Sequence, residues 1–134
     1  MNCPYCHHSV FLSRSSEIVY RKDYGPLWIC SRFPQCDSYV GCHPGTDKPL
    51  GTLANKELRD ARSAAHARFD PLWIRKAQQQ RCSKGQARRR GYRWLAKKLG
   101  IKEEACHIAM FDVETCRRVV QIVDGLRHQV QVNR

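Results

Sequence analysis

The sequence predicts a mixed α+β protein, in which an N-terminal zinc ribbon of short antiparallel strands is followed by a compact bundle of about four helices. Two pairs of closely spaced cysteines, separated by 23 residues, indicate the ribbon. From Thr52 onward the apolar residues recur with helical periodicity, which indicates the bundle. We therefore expect a zinc ribbon over residues 1–48 and a basic helical domain over residues 49–134.

The cysteine pairs have the residue type and the spacing of a structural zinc site. Each pair lies in a short turn, and two such turns present four sulfur atoms to one tetrahedral ion. The predicted ligands of one Zn²⁺ are Cys3, Cys6, Cys30 and Cys36. Because the first 45 residues contain few aliphatic side chains, the metal should contribute to their folding free energy.

Short apolar runs between the cysteine turns predict the strands of the ribbon. They occur at residues 10–12 (VFL), 18–20 (IVY) and 27–29 (LWI), and residues 39–40 (YV) should close the sheet. Aromatic side chains on such a sheet can stack on unpaired bases. The candidates are Tyr5, Tyr24, Trp28, Phe33 and Tyr39. Trp28 and Tyr39 are favoured as core residues instead.

The second cysteine turn, CSRFPQC at residues 30–36, follows an aromatic strand and resembles the C-terminal zinc ribbons of type IA DNA topoisomerases. Those modules bind single-stranded DNA, so the resemblance implies this ligand for residues 1–41. Arg32 and Phe33 are the candidate contacts in the turn.

The whole chain is similar to a small family of phage and prophage proteins described as zinc-finger-containing. The similarity is carried by residues 39–46 (YVGCHPGT), 49–54 (PLGTLA), 65–73 (AHARFDPLW) and 106–108 (CHI). This resemblance implies the architecture and little of the chemistry.

The first helix of the bundle should begin after Asn55, with Thr52 as the less favoured cap. Leu58, Ala61, Ala65 and Phe69 form its inward face, and Arg59, Arg62 and Arg68 lie on the opposite face. The pair Asp70-Pro71 has the pattern of a cap followed by proline at the first helical position, so a second helix is expected there. That helix should end in the glutamines at 78–80.

The third helix is expected over residues 86–99, after a break at residues 83–85 and before Gly100. Its apolar stripe consists of Tyr92, Leu95, Ala96 and Leu99. One short helical piece should lie within residues 102–111. Asp112 then caps a final helix that buries Val113, Cys116, Val119, Val120, Val123 and Leu126.

The net charge of +12 is concentrated in the middle of the chain, where residues 51–101 contain fourteen Lys or Arg against three Asp or Glu. Such a block indicates a polyanionic partner, most simply nucleic acid. The third helix carries most of the candidate contacts: Arg88, Arg89, Arg90, Tyr92, Arg93, Lys97 and Lys98. The alternatives are a solvated basic face and a helix that lies on a membrane surface.

A second group of cysteines and histidines lies outside the ribbon, at Cys42, His43, His66, Cys106 and His107. These residue types suit zinc, so a second metal site or a hydrolytic centre is an alternative. However, their spacing lacks the short turns of the first site. We therefore expect them to be mainly structural, because buried cysteines usually serve as small core residues.

The cysteine spacing, the scattered later cysteines and the absence of a signal-peptide pattern before Cys3 argue against a secreted disulfide protein. No apolar run reaches the ~20 residues that span a bilayer. We expect a soluble protein of a bacterial host cytoplasm. The favoured function is non-enzymatic binding of nucleic acid, preferably single-stranded DNA. The alternatives are a phage effector that inhibits a host protein, such as a nucleic-acid-processing or defence enzyme, and a metal-dependent nuclease.

Overall fold

The computed structural model describes the backbone of residues 1–132 and the side chains as far as residue 126. The fold is the expected α+β class, with a three-stranded antiparallel sheet and four α-helices. The chain divides into two compact units, Met1–Arg59 and Asp60–Arg134. The separation into domains at residues 48 and 49 stays a prediction.

The first unit is built on a sheet of the order β1–β2–β3, formed by Val10–Ser13, Leu27–Cys30 and Tyr39–Gly41. In this register Val10 pairs with Cys30, and Trp28 pairs with Val40. The predicted strands at 10–12, 27–29 and 39–40 are therefore confirmed. Apolar side chains on β2 supply the centre of the core, where Leu27 and Ile29 are almost completely buried.

The strand predicted at residues 18–20 is wrong, because these residues lie in a short helix, α1 (Glu17–Tyr20). Ser16 accounts for the difference. Its carbonyl accepts hydrogen bonds from the amides of Val19 and Tyr20, and its buried hydroxyl accepts a bond of 2.7 Å from the amide of Tyr24. These local bonds satisfy the backbone without a strand partner.

The second unit contains helix α3 (Lys84–Leu99), helix α4 (Val113–Val132) and most of helix α2 (Lys56–Gln80). Two single turns of 3₁₀ helix, Glu103–Ala105 and Ile108–Met110, replace the one short helical piece that was expected between α3 and α4. The core of this unit has fully buried side chains from every one of its α-helices: Phe69, Leu95, Val119 and Val123.

Three of the predicted helix boundaries are confirmed by their caps. The Asn55 side chain accepts a hydrogen bond from the amide of Leu58, and Asp112 does the same for Thr115. Gly100 ends α3 with φ of 71°. Ser83 caps the start of α3, so this helix begins two residues earlier than predicted.

The separate helix predicted to begin at Pro71 is wrong, since α2 runs through this proline without interruption. Pro71 cannot donate a backbone hydrogen bond, which costs a helix interior about 3 kcal/mol. Burial on both sides of the proline offsets this cost, because Phe69 and Ala77 are both in the core. Asp70 does not act as a cap; instead, its carboxylate accepts hydrogen bonds from Trp73 and His66.

Arg62 does not lie on an exposed face, as the helical pattern predicted, but is buried. Its Nε donates a hydrogen bond of 3.1 Å to the carbonyl of Phe111. This bond joins α2 to the segment that precedes α4. The other two arginines of that predicted face remain partly exposed.

Gly91 lies where α3 approaches α2 closely. A methyl group added at this position would lie 3.1 Å from Cβ of Trp73 and 3.2 Å from Cζ of Phe69. Only glycine therefore fits here without displacing a neighbour. This explains why the helix contains a glycine, although glycine has a low helix propensity.

Candidate metal centre and nucleic-acid interface

The four cysteines predicted to bind zinc come together in the first unit. Their Sγ atoms all lie within 4.8 Å of one another. The Sγ–Sγ distances are 3.6 Å between Cys3 and Cys36 and 3.4 Å between Cys6 and Cys30. A tetrahedral zinc with Zn–S bonds of about 2.3 Å separates its ligands by about 3.8 Å. The spacing therefore suits a shared ion, and it is too long for disulfide bonds.

Short backbone turns hold the cysteines in this arrangement. The carbonyl of Cys3 accepts a hydrogen bond from the amide of His7, and the amide of Cys3 donates to the carbonyl of His8 at 2.7 Å. The second turn is closed by the bond from the Cys36 amide to the Arg32 carbonyl. Because Cys30 also ends β2, the sheet fixes the second turn relative to the first.

Hydrogen-bond donors of the protein lie close to the sulfur atoms. The hydroxyl of Ser38 is fully buried and lies 3.1 Å from Sγ of Cys3 and 3.6 Å from Sγ of Cys36. The amide of Arg32 donates to Sγ of Cys30 at 3.4 Å. Such donors stabilise negatively charged thiolates and orient the ligands of a metal. The sequence pattern did not identify Ser38, although it follows Cys36 by only two residues.

The same contacts set the acidity of the thiols. Burial acts to raise the pKa of Cys3, but hydrogen bonds from Ser38 and from the amides of Cys6 and Tyr5 outweigh it and lower the pKa to about 6. Burial raises the pKa of Cys30 to about 12. Zinc binds cysteine as the thiolate, so its binding releases the protons that the four thiols still carry.

The donor set fits a structural zinc ion. All four ligands are protein thiols, which leaves no open position for a substrate in a tetrahedral site. Zn²⁺ bound there would cross-link the two cysteine turns and stabilise a unit with a small apolar core.

The second group of cysteines and histidines does not form a comparable site. Among the residues with described side chains, only the four ribbon cysteines form a set of three or more ligand atoms at metal-binding distances. Cys106 is fully buried in the helical core, and burial raises its pKa to about 11. His107 packs its ring near Tyr92, and His66 bonds to Asp70 at 3.1 Å. Cys42 and His43 lie in the first unit, after β3.

Three of the five candidate base-stacking residues, Tyr24, Phe33 and Tyr39, form a row of edge-to-face aromatic contacts with Tyr20. Tyr20 lies at its centre, with ring centroids 5.6 Å from Tyr24 and 5.9 Å from Tyr39. The ring centroid of Phe33 lies 6.4 Å from that of Tyr39, and the guanidinium of Arg59 lies 4.0 Å from the centre of the Tyr39 ring. Tyr20 was missed because residues 18–20 were interpreted as a strand, although its spacing of four residues from Tyr24 was visible in the sequence.

All six of the predicted cations of α3 are exposed, as an interface with phosphate requires. Arg88, Arg89, Arg90, Arg93, Lys97 and Lys98 all have exposed side chains. Arg93 forms an ion pair with Glu103 at 3.1 Å, and Arg88 lies 5.0 Å from the centre of the Tyr92 ring. Arg32, in the second cysteine turn, is also exposed.

Tyr92 is not available as a base-stacking residue. Its side chain is buried, its ring packs 4.7 Å from Phe69, and burial raises its pKa. It belongs to the apolar stripe that was predicted for the same helix, and this packing role excludes contact with a base.

No helix among the described residues is both long enough and apolar enough to cross a membrane. Comparison with curated proteins and with solved structures found no match. A family model described as a zinc-finger-containing domain matches residues 1–126, which is nearly the whole chain. The four-cysteine cluster lies within the matched residues and supports binding of zinc. The chain therefore belongs to this family of zinc-finger-containing domains.

Proposed function

We propose that the protein binds nucleic acid, prefers single strands to duplex, and acts as a binding protein rather than an enzyme. The observation that carries the proposal is the exposed set of six cations on α3. Arginine and lysine side chains at this density attract a phosphate backbone, and the planar guanidinium donates two hydrogen bonds to one phosphate.

The cations of α3 differ in the contacts that they already make within the protein, and hence in how readily they can contact a phosphate. Arg93 is held by Glu103, and Arg88 lies over an aromatic ring. Arg89, Lys97 and Lys98 are exposed. Arg89, Arg93 and Lys97 follow one another at intervals of four residues, so they lie along one side of the helix. This side, together with the adjacent and exposed Lys98, is the proposed track for the phosphate backbone.

A preference for single strands is supported by the aromatic row of the first unit. Tyr24 is 70% exposed and Tyr20 is 49% exposed, and Nζ of Lys22 lies 5.6 Å from the centre of the Tyr24 ring. Unpaired bases can stack on such rings, whereas the faces of paired bases are covered by their neighbours. In this proposal residues 1–48 provide stacking and residues 49–134 provide the electrostatic attraction.

The proposal is tested by the dependence of binding on salt. Affinity for a single strand falls with salt with a slope of about 0.7 for each phosphate contact. The variant Arg89→Gln/Lys97→Gln/Lys98→Gln should therefore bind a labelled single-stranded oligodeoxynucleotide with a slope lower by about two units. The same strand annealed to its complement should bind the wild type more weakly.

A charge-matched control uses three exposed cations elsewhere, in the variant Arg14→Gln/Lys48→Gln/Lys102→Gln. Its net charge equals that of the first variant, so its slope should stay close to the wild-type value. Equal slopes for the wild type and the α3 variant, both folded by circular dichroism, would reject α3 as the binding surface. If the wild type fails to bind any oligonucleotide at low salt, the proposed function is wrong.

A further inference from the structure

A groove of about 660 Å³ is lined by the second half of α2, by residues 87–94 of α3 and by Leu126 of α4. Its volume is within the ~300–1,000 Å³ of typical small-ligand sites. The groove lies next to Gly91, where α2 and α3 approach closely, and Phe69 lies at its buried end. All of its lining residues belong to the second unit, whereas the zinc ligands and the aromatic row belong to the first.

Two tryptophans provide planar surfaces in this groove. Trp73 and Trp94 both line it, and both are only partly buried. The indole Nε1 of Trp73 donates a hydrogen bond of 3.0 Å to Oδ1 of Asp70, so the polar edge of this ring already has a partner. This bond limits the rotation of the Trp73 ring. A ring held in this way can accept a planar ligand without losing further conformational entropy.

The charge of the groove favours an anion. Arg75, Lys76 and Arg90 line it, and its lining residues include no Asp or Glu. Nη1 of Arg90 lies 3.4 Å from Oε1 of Gln80, which positions the guanidinium at the edge of the groove. Three cations beside two indole rings suit a ligand that carries both a phosphate and an aromatic base.

We infer that this groove binds one unpaired nucleotide of a single strand, with its base against Trp73 and Trp94 and its phosphate beside Arg75, Lys76 and Arg90. The inference rests on the proposed function and names a base-binding site for it. A base pair within a duplex cannot insert its face between two helices, so the groove selects for unpaired bases. A ligand without negative charge would leave the three cations of the groove without an anionic partner in the groove.

The test compares Trp94→Ala with the wild type on two probes, a labelled oligothymidylate and an abasic oligodeoxynucleotide of the same length. Loss of one stacking partner should weaken binding of oligothymidylate about tenfold. Binding of the abasic strand should not change, because the cations and their phosphate contacts remain. Met110→Ala serves as the control, because Met110 is an exposed apolar residue of the same unit that does not line the groove, and its affinity for both probes should equal that of the wild type.

A second variant keeps the test decisive if Trp94→Ala does not fold. Lys76 is exposed, so Lys76→Glu should leave the fold intact and weaken binding of both probes, whereas Lys102→Glu, away from the groove, should have a smaller effect. If Trp94→Ala folds and binds oligothymidylate with the same affinity as the wild type, the inference is overturned, but the proposed function still stands. Displacement of bound oligothymidylate by an anionic amphiphile but not by a free nucleotide would also overturn it. Failure of the wild type to bind either probe rejects the proposed function itself.

Discussion

At the scale of single residues, the zinc assignment depends on Cys36, whose Sγ lies 3.6 Å from both Cys3 and the Ser38 hydroxyl. The variant Cys36→Ser should lose the bound zinc, since a hydroxyl binds this ion far more weakly than a thiolate. Without the metal the first unit should unfold, because its apolar core is small. Metal analysis of the purified protein should give about one equivalent of zinc for the wild type and much less for the variant.

Cys82 provides the matched control for this substitution. It lies between α2 and α3 and is only partly buried, and it is not one of the four clustered cysteines. Cys82→Ser should keep the full zinc content and the wild-type circular dichroism. A Cys36→Ser protein with the zinc content of Cys82→Ser would contradict the ligand assignment.

Individual residues also mark the limits of the sequence pattern. The four zinc ligands could be identified because two pairs of closely spaced cysteines are typical of a zinc site. The buried position of Arg62 could not be predicted, because its partner, the Phe111 carbonyl, is 49 residues away in the chain. The same holds for Ser38, whose role depends on the sulfur of Cys3, 35 residues distant.

At the scale of secondary-structure elements, the approach of α2 and α3 depends on Gly91. In Gly91→Ala the new methyl group would lie 3.1 Å from Cβ of Trp73, which is next to the backbone, and 3.2 Å from the buried ring of Phe69. Neither neighbour can move freely, so overpacking should cost about 1–3 kcal/mol. The better helix propensity of alanine returns at most about 1 kcal/mol. We expect a net loss of about 1 kcal/mol in the free energy of unfolding, measured by denaturant titration.

The control for this prediction lies in the same helix. A methyl group added at Gly85 would meet nothing within 4 Å, so Gly85→Ala gains helix propensity without overpacking. It should be neutral or more stable than the wild type by up to about 1 kcal/mol. If Gly91→Ala were as stable as Gly85→Ala, the close approach of α2 and α3 would not explain the glycine.

Whole elements were predicted well where one face is apolar and a cap is present. Helices α3 and α4 satisfy both conditions, with Ser83 and Asp112 as caps. Pro71 was misinterpreted because the local pattern of a cap followed by proline competes with burial of α2 on both sides of it. The prediction of a strand at residues 18–20 was wrong for a related reason. Its β-branched residues favour a strand, but the hydrogen bonds of Ser16 fix a helical turn.

At the scale of the whole molecule, the charge and the metal are carried by different parts of the chain. Residues 51–101 hold fourteen Lys or Arg against three acids, whereas the zinc ligands all lie within the first 36 residues. The groove between α2 and α3 could not be predicted, because it depends on how closely these two helices approach at Gly91.

This separation predicts a selective effect of zinc removal. A chelator should unfold the first unit but leave most of the helical circular dichroism, because the core of the second unit contains none of the four ligands. The salt slope of binding to a single-stranded oligodeoxynucleotide should also stay close to the wild-type value, since the exposed cations of α3 are retained. The affinity itself should fall, because the aromatic row around Tyr20 would be lost with the first unit.

Measurements of circular dichroism and binding before chelation, after chelation and after zinc is restored would check each part. If the chelator removes the helical circular dichroism as well, the two units fold as one. If the helices persist but the salt slope of binding falls to near zero, the phosphate contacts belong to the first unit instead.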